Sequence, residues 1–477
     1  MATPLPENDA AFEVSEIVAV TGGRLEREGV ARVQGIATDT RGALAGKAFV
    51  ALVGERFDAH DLVQSAAEAG ARCLIVERDV SISVPDTAVV RVPSTLDALG
   101  ALARAHRRRW GGTVVAIAGS AGKTTTRSTV GAVLGALRPG RVHATVGNLN
   151  NQVGLPLTLL AVRGDHELCV LEVGTNRVGE VPALARVCEP DVALLTLVDL
   201  EHSEGLGGLD SIEAEEGALL AALDPAGAAL GNGDDPRVRR QVQRSPASAR
   251  LLYGTSEDCD YRLLERELLG HDGVRVTAAR RDGSQVVFEC PLVGEPGALA
   301  AIAAWTVAEW VERRPVDGAL LTRALGQVGE AGRLARVVLG DGCLVLDDSY
   351  NANPASVRKS VETARELADA RGGRLWLVLG EMRELGAATE PEHRAMGELA
   401  ARSGASGLFV IGSLAEPAVA AASDGGLGSL FFEDAADVAP SLLERLGPED
   451  VVLVKASRGV RAERVVEGLT LARGKVR

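Results

Sequence analysis

The sequence predicts three α/β units in one chain of 477 residues, the middle one built on a doubly wound parallel sheet. Three observations carry this. At ~150 residues per domain, the length suits about three cores rather than one. From Thr113 onward the apolar runs "TVVAIAG", "ELCVLEVG" and "DVALLTLVD" each end in a polar or glycine-rich turn, the pattern of strands covered on both faces. Further on, "CLVLDDSY", "RLWLVLGE", "GLFVIG" and "DVVLVKAS" alternate with helical stretches, a Rossmann-like arrangement.

Taken in order, residues 1–110 hold short strand patterns, "KAFVALVG" (47–54) and "RCLIVE" (72–77), with the helix-like "DLVQSAAEAGA" between them. They form the small N-terminal α/β unit. Residues 111–330 form the central unit and 331–477 the C-terminal one, with boundaries near 111 and 331. The basic run "RAHRRRW" (104–110) reads as a solvated helix end before a linker. The most apolar window, 298–311, contains a glutamate and is too short to span a bilayer, so it reads as a buried helix. The small-residue stretch near 417–429 reads as a loop. The cysteines at 73, 169, 188, 259, 290 and 343 lie far apart in apolar surroundings and read as reduced core thiols.

Composition excludes several classes. Hydrophobic residues at 46% and charged residues at 24% are ordinary for a globular chain, and a net charge of −14 argues against a nucleic-acid surface. The first residues, "MATPLPENDAAFEV", have neither a basic nor an apolar leader region, so the expectation is a cytoplasmic protein without membrane insertion. A monomer is expected, although the sequence itself does not give the oligomeric state.

Ligands of open parallel sheets gather where strands end, so chemistry is sought after each apolar run. The first run ends in Gly119, Ser120, Ala121, Gly122, Lys123, Thr124 and Thr125. This resembles a phosphate-binding loop shortened by two residues: the glycines let backbone N–H groups approach phosphate, Lys123 supplies a cation, and Thr124 offers a hydroxyl to Mg²⁺ at a helix start. The second run ends at Glu172, and His202 follows the third. Alone, either residue suits a surface or cap position; beside the loop, both suit an oxygen-rich Mg²⁺ site. Asn148, Asn150 and Asn151 suit either turn chemistry or amide contacts to substrate. In the C-terminal unit, Arg333 is either a surface charge or a cation reaching across a cleft, and the Asp pair in "LDDSYNANP" suits a helix cap.

These motifs, in this order, resemble the Mur ligases, the ATP-dependent amide-forming enzymes of peptidoglycan synthesis. "NLNNQVGLPLTLL", "LEVGTNRVGE", "DDSYNANP", "VLGEMRELG" and "VKASRGVRAERVV" are similar to the branch that joins D-alanyl-D-alanine to UDP-N-acetylmuramoyl-tripeptide. The resemblance implies ATP and Mg²⁺, a carboxylate activated as an acyl phosphate, and attack by the dipeptide amine. It assigns Lys123, Glu172, His202 and Arg333 to catalysis, Thr124, Glu172 and His202 to the metal, and Asp347 to the nucleotide. Asn351, Asn353 and Pro354 fall to the dipeptide end, and Thr40 and Arg41, within "TDTRGALAGKAFVALVGERFDAHD" (38–61), to the UDP-sugar.

The chain departs from the family at several points. The family's carbamylated lysine, whose carboxylate helps hold a second Mg²⁺, aligns with Glu216, and no lysine occurs between Lys123 and Lys359. Glu216, or neighbouring Glu215, is expected to supply that carboxylate directly or through water; an acidic helix surface is the alternative. Pro296, Gly297 and Ala300 stand where the family places adenine-contacting residues, and Thr175 to Glu180 replaces its Ala-Asn-His-x-Gly-Glu. Two other readings remain: a ligase with a different acceptor, and a weakly active nucleotide-binding scaffold. The complete phosphoryl-transfer set argues against the latter.

Overall fold

The computed structural model describes residues 3–54, 57–329 and 331–475. Parts of the N-terminal and 38–61 stretches, and the 330 boundary, fall on residues outside that set. Three principal sheets follow one another along the chain. In the first, Ile36–Ala37, Ala48–Val50, Cys73–Val76 and Ala88–Arg91 run parallel and Arg24–Arg27 closes one edge antiparallel.

In the nine-stranded central sheet, Thr113–Ala118 pairs in parallel with Leu168–Glu172 on one side and Val192–Leu195 on the other. The chain therefore leaves this strand to build one half of the sheet, then crosses it to build the other. Strand order reverses at Ala118, and a crevice opens there. Val114 to Ala118 are fully buried, as are Val192 to Leu195, which is why these segments read as unbroken apolar runs. At the far edge Tyr261–Leu268, Val274–Arg280 and Gln285–Cys290 form an antiparallel extension, whose half-exposed, alternating strands gave no such run.

The C-terminal sheet has six strands; Leu344–Asp348, Val451–Lys455, Leu375–Gly380, Gly407–Ile411 and Ser429–Phe432 are parallel and Ala335–Val338 is antiparallel. All six cysteines are free and buried. Among the described residues, no helix is long and apolar enough to cross a membrane.

Two local expectations are corrected. The basic run ends the helix Thr95–Trp110 with Arg108 and Arg109 exposed, but it is also a clamp: buried Arg107 donates to the carbonyls of Cys188 and Glu189 and to Asp191 (2.8 Å), while Arg104 and Arg108 share Glu189. The stretch after Glu416 is also not a loop, since Pro417–Asp424 is a helix. Its alanines are the best helix formers, and proline is well placed in a first turn.

The apolar window lies in the helix Gly294–Glu312, which packs against the helix that follows the phosphate loop. Its one charge inside the core is neutralised in place: Glu309 accepts from Trp305 Nε1 (2.8 Å), Tyr261 Oη (2.9 Å), the Val316 amide (2.8 Å) and Arg280 (2.6 Å). Burial works against its ionised form, but Arg280 and these donors hold its pKa below the ordinary value. Glu309→Leu would leave a guanidinium, an indole and a phenol without their acceptor. We expect a loss of about 3 to 5 kcal/mol, seen as a fall in the thermal unfolding midpoint.

Candidate active site

Gly119 sits at φ 125°, and a Cβ there would lie 2.2 Å from Thr196 Oγ1, so neither the backbone conformation nor the space admits a side chain. Gly122, at φ 82°, ends the loop and starts the helix Lys123–Leu137. The turn between them is held by its neighbour: the Ser120 amide donates to Leu197 O (2.8 Å), and the Thr196 hydroxyl lies 2.6 Å from Ala121 O. Strand sterics and two glycines thus aim a helix N-terminus at the crevice.

That crevice is a cavity of about 1350 Å³ between the central and C-terminal units. The loop from Ser120 to Thr125 forms one wall, with Asn148, Asn150, Asn151, Glu172 and His202 beside it. Arg333, Asn351 and Asn353 line the side contributed by the C-terminal unit. Residues remote in sequence are thereby brought to one place.

The charges in the floor are coupled. Lys123 Nζ donates to the Gly119 carbonyl and lies 3.2 Å from Glu201 Oε2. Burial opposes its charge, but Glu201, Glu216 and Glu172 outweigh burial and raise its pKa above that of free lysine. Burial likewise opposes ionisation of Glu201, and Lys123 and His202 together hold it ionised. Glu172 accepts from Asn150 Nδ2 (2.8 Å) and Arg127 Nε (3.3 Å), which fixes its carboxylate against the loop.

His202 and Glu384 meet across the junction of the two units, Nδ1 against Oε2. Both are non-glycine residues in the left-handed region, at φ 50° and 64°. Such backbone costs of order 1 to 3 kcal/mol each and persists where surrounding contacts impose it. The contact here is reinforced by the Glu204 amide donating to Glu384 O (3.1 Å). With Nδ1 so engaged, Nε2 is the nitrogen that faces Glu201, at 3.4 Å.

Other expected residues are placed differently. Asp347 does not line the cavity. It accepts from the Ser349 amide (3.1 Å), and Asp348 faces inward, because successive strand residues point to opposite faces. Neither Asp caps the next helix; Asn353 does, accepting from the Ser356 amide (2.8 Å) while its Nδ2 donates to Ser120 O (3.0 Å). Asn353 therefore joins the C-terminal unit to the loop, and Pro354 begins the helix without lining the cavity. Arg333 does line it, with its guanidinium stacked 4.3 Å over Tyr350.

Thr40 and Arg41 lie in the N-terminal unit outside this cavity, where Arg41 is bound to Asp39 at 2.5 Å. Glu215 accepts from the Gly179 (2.8 Å) and Val181 (2.7 Å) amides and anchors a helix start. Glu216 sits beneath the loop rather than in the cavity, accepting from the Gly119 amide (2.8 Å). Burial, with Glu201 nearby, pushes its carboxyl up to about 7 despite Lys123.

Sequence reading missed Glu201, Glu384 and the buried pair Asp348–Lys455. Glu201 adjoins His202, and Lys455 ends an apolar strand, where a lysine is out of place; both were signals. Glu384 lies within "VLGEMRELG", but nothing there pointed to its partner, 182 residues away.

Mg²⁺ suits the donors present: a hydroxyl, a carboxylate and an imidazole from Thr124, Glu172 and His202, with room for phosphate oxygens. Among the described residues no group of three or more His, Cys, Asp or Glu is drawn together.

Comparison with known proteins gives the same picture along the whole chain. Three family profiles match in order: the Mur ligase family catalytic domain over residues 32–107, the Mur ligase middle domain over 117–308, and the Mur ligase glutamate ligase domain over 332–458. A UDP-N-acetylmuramoyl-tripeptide–D-alanyl-D-alanine ligase of Bacillus subtilis is 32% identical, covering 92% of this chain and 93% of its own. The Escherichia coli enzyme of that name is also 32% identical, covering 96% and 98%. Among solved structures, MurF from Acinetobacter baumannii superposes with a TM-score of 0.86 at 28% identity, covering 98% of this chain and all of that one. MurF ligase from Thermotoga maritima in complex with ADP gives 0.80 at 29%, over 91% and 96%. With the short loop, the two-unit cavity and the full-length matches in agreement, this chain belongs to the Mur ligase family.

Proposed function

We propose that the chain joins D-alanyl-D-alanine to UDP-N-acetylmuramoyl-tripeptide at the expense of ATP, in peptidoglycan precursor synthesis. The observation that carries the reading is the cavity itself, which sets a phosphate loop opposite the Asn351–Asn353 turn and ties the two together through Asn353 and Ser120. One side suits a nucleotide, the other an acceptor.

The geometry serves an acyl-phosphate route. A carboxylate does not condense with an amine in water because oxide is too poor a leaving group; phosphorylation makes it a good one. Backbone N–H groups of the loop and Lys123 hold the phosphates, with Thr124, Glu172 and His202 as the residues to hold Mg²⁺. When bound, Mg²⁺ draws negative charge from the phosphate oxygens. Arg333, across the cavity, approaches the transferring group from the other unit, and the Asn351–Asn353 turn bounds the dipeptide end. The N-terminal unit, with Thr40 and Arg41, takes the UDP-sugar. The Asn353–Ser120 and His202–Glu384 contacts join the two units beside the cavity, and closure of the C-terminal unit around bound substrates would exclude the water that hydrolyses an acyl phosphate.

The test is phosphate release from ATP with UDP-N-acetylmuramoyl-tripeptide, with and without D-alanyl-D-alanine. Release that needs both substrates is expected. Equal release with a single amino acid as acceptor would overturn the dipeptide assignment, and no release with any acceptor would overturn the ligase reading.

A further inference from the structure

We propose that Glu201 supplies the anionic oxygen that relatives draw from a carbamylated lysine, and that it acts beside His202 as a ligand of the catalytic Mg²⁺. The inference rests on the phosphoryl-transfer reading of the cavity. No lysine is available for carbamylation between Lys123 and Lys359, so the carboxylate must come from elsewhere.

Glu216, at the aligned position, does not reach the cavity. Its side chain is far shorter than a carbamylated lysine, and its Oε2 is occupied by the Gly119 amide. It holds the loop. Glu201 lines the cavity while remaining buried, with its two oxygens turned to different partners: Oε2 to Lys123 Nζ at 3.2 Å, Oε1 to His202 Nε2 at 3.4 Å.

The second spacing is informative. Adjacent ligands of an octahedral ion with bonds of ~2.1 Å stand about 3 Å apart, so Oε1 and Nε2 are placed to share one ion with little movement. Glu384 on Nδ1 leaves Nε2 as the ligating nitrogen, the usual arrangement in which a carboxylate orients a metal-bound imidazole. The contact with Lys123 fits the same role. When phosphate arrives, Lys123 turns to it, and Glu201 passes from a lysine partner to a metal partner without entering water.

The experiment measures ADP affinity by calorimetry, with and without Mn²⁺ as probe, for wild type and Glu201→Gln. In wild type, Mn²⁺ tightens ADP binding. In Glu201→Gln that tightening is expected to fall at least tenfold, while metal-free ADP binds no more weakly because Lys123 has lost its competitor. A merely structural role would weaken both. Tightening equal to wild type overturns the proposal. Should Glu201→Gln fail to fold, Glu201→Asp decides: its withdrawn carboxylate should reduce the tightening at least threefold, and an unchanged value overturns the assignment. Wild-type phosphate release should be indifferent to removal of bicarbonate, whereas restoration by added bicarbonate would also overturn it. Absence of substrate-dependent release in wild type would sink the ligase reading itself, whereas intact release with unaltered Mn²⁺ linkage sinks only the role of Glu201.

Discussion

Replacing Lys123 by methionine is expected to lower substrate-dependent phosphate release by on the order of 10³-fold, about 4 kcal/mol of transition-state stabilisation. The lysine is the cation of the loop, and charge accumulates on the phosphoryl group as it leaves ADP. Lys123→Arg should not restore the rate, because a planar fork does not fill the place of a compact ammonium beneath the Gly119 carbonyl. The substitution also changes the resting protein. Glu201, Glu216 and Glu172 all act on the Lys123 charge, and without it nothing offsets the repulsion of Glu201 on Glu216. Glu216, already raised to about 7, should rise further. A carboxyl whose folded pKa exceeds its unfolded value contributes stability present at low pH and lost as pH rises through the folded value. Lys123→Met should therefore lose more stability than wild type between about pH 6 and 8, as thermal melting across that range would show. Turnover within tenfold of wild type would contradict the role given to Lys123.

What could be read from the sequence follows the range of the interactions involved. The loop was legible because its requirements are local: glycines where φ is positive, then lysine, threonine and a helix. The central and C-terminal strands were legible because burial on both faces leaves an unbroken apolar signature. The antiparallel extension was not, since its strands are wet on one face and share their composition with loops. Pairings made at a distance were also silent. His202 stood out as a strand-end residue, but nothing near it names Glu384, and the choice between Asp347 and Asp348 depends on the face each presents once the sheet exists. The arginine run looked solvated because its partners, Glu189 and Asp191, lie more than 80 residues away. Glu216, which the resemblance implied as a source of carboxylate for the site, instead accepts from the Gly119 amide beneath the loop, a contact across 97 residues that no local pattern announces.

The second large effect is expected at Lys455, the lysine that ends the strand Val451–Lys455. Its side chain is 3% exposed and its Nζ lies 2.5 Å from Asp348 and 2.9 Å from the Asn351 carbonyl. Asp348 in turn accepts from the Ser360 hydroxyl (2.6 Å) and the Leu334 amide (3.2 Å), so one ion pair fastens the strand, the Asn351–Asn353 turn and the chain after Arg333. Removing one member of such a pair leaves a buried charge uncompensated, and Lys455→Met should destabilise the protein by roughly 3 to 5 kcal/mol, measurable by urea unfolding followed by circular dichroism. Adding Asp348→Asn removes the stranded charge: the amide oxygen still accepts from the Leu334 amide, and the NH2 in place of Oδ2 donates to the Ser360 oxygen, whose hydroxyl still has the Ser356 carbonyl to donate to. The double variant should recover at least about 2 kcal/mol of that loss, because the single variant's cost is mainly the unpaired carboxylate and not the missing attraction. Activity should not recover with it. The Asn351 carbonyl still lacks its anchor, so the turn opposite the phosphate loop loses its fixed position, and the KM for D-alanyl-D-alanine should stay raised while the KM for ATP stays near that of wild type. Recovery of both stability and acceptor KM in the double variant would show that the pair serves the fold alone; recovery of stability without acceptor KM would identify Lys455 as the residue through which the C-terminal core sets the acceptor side of the cavity.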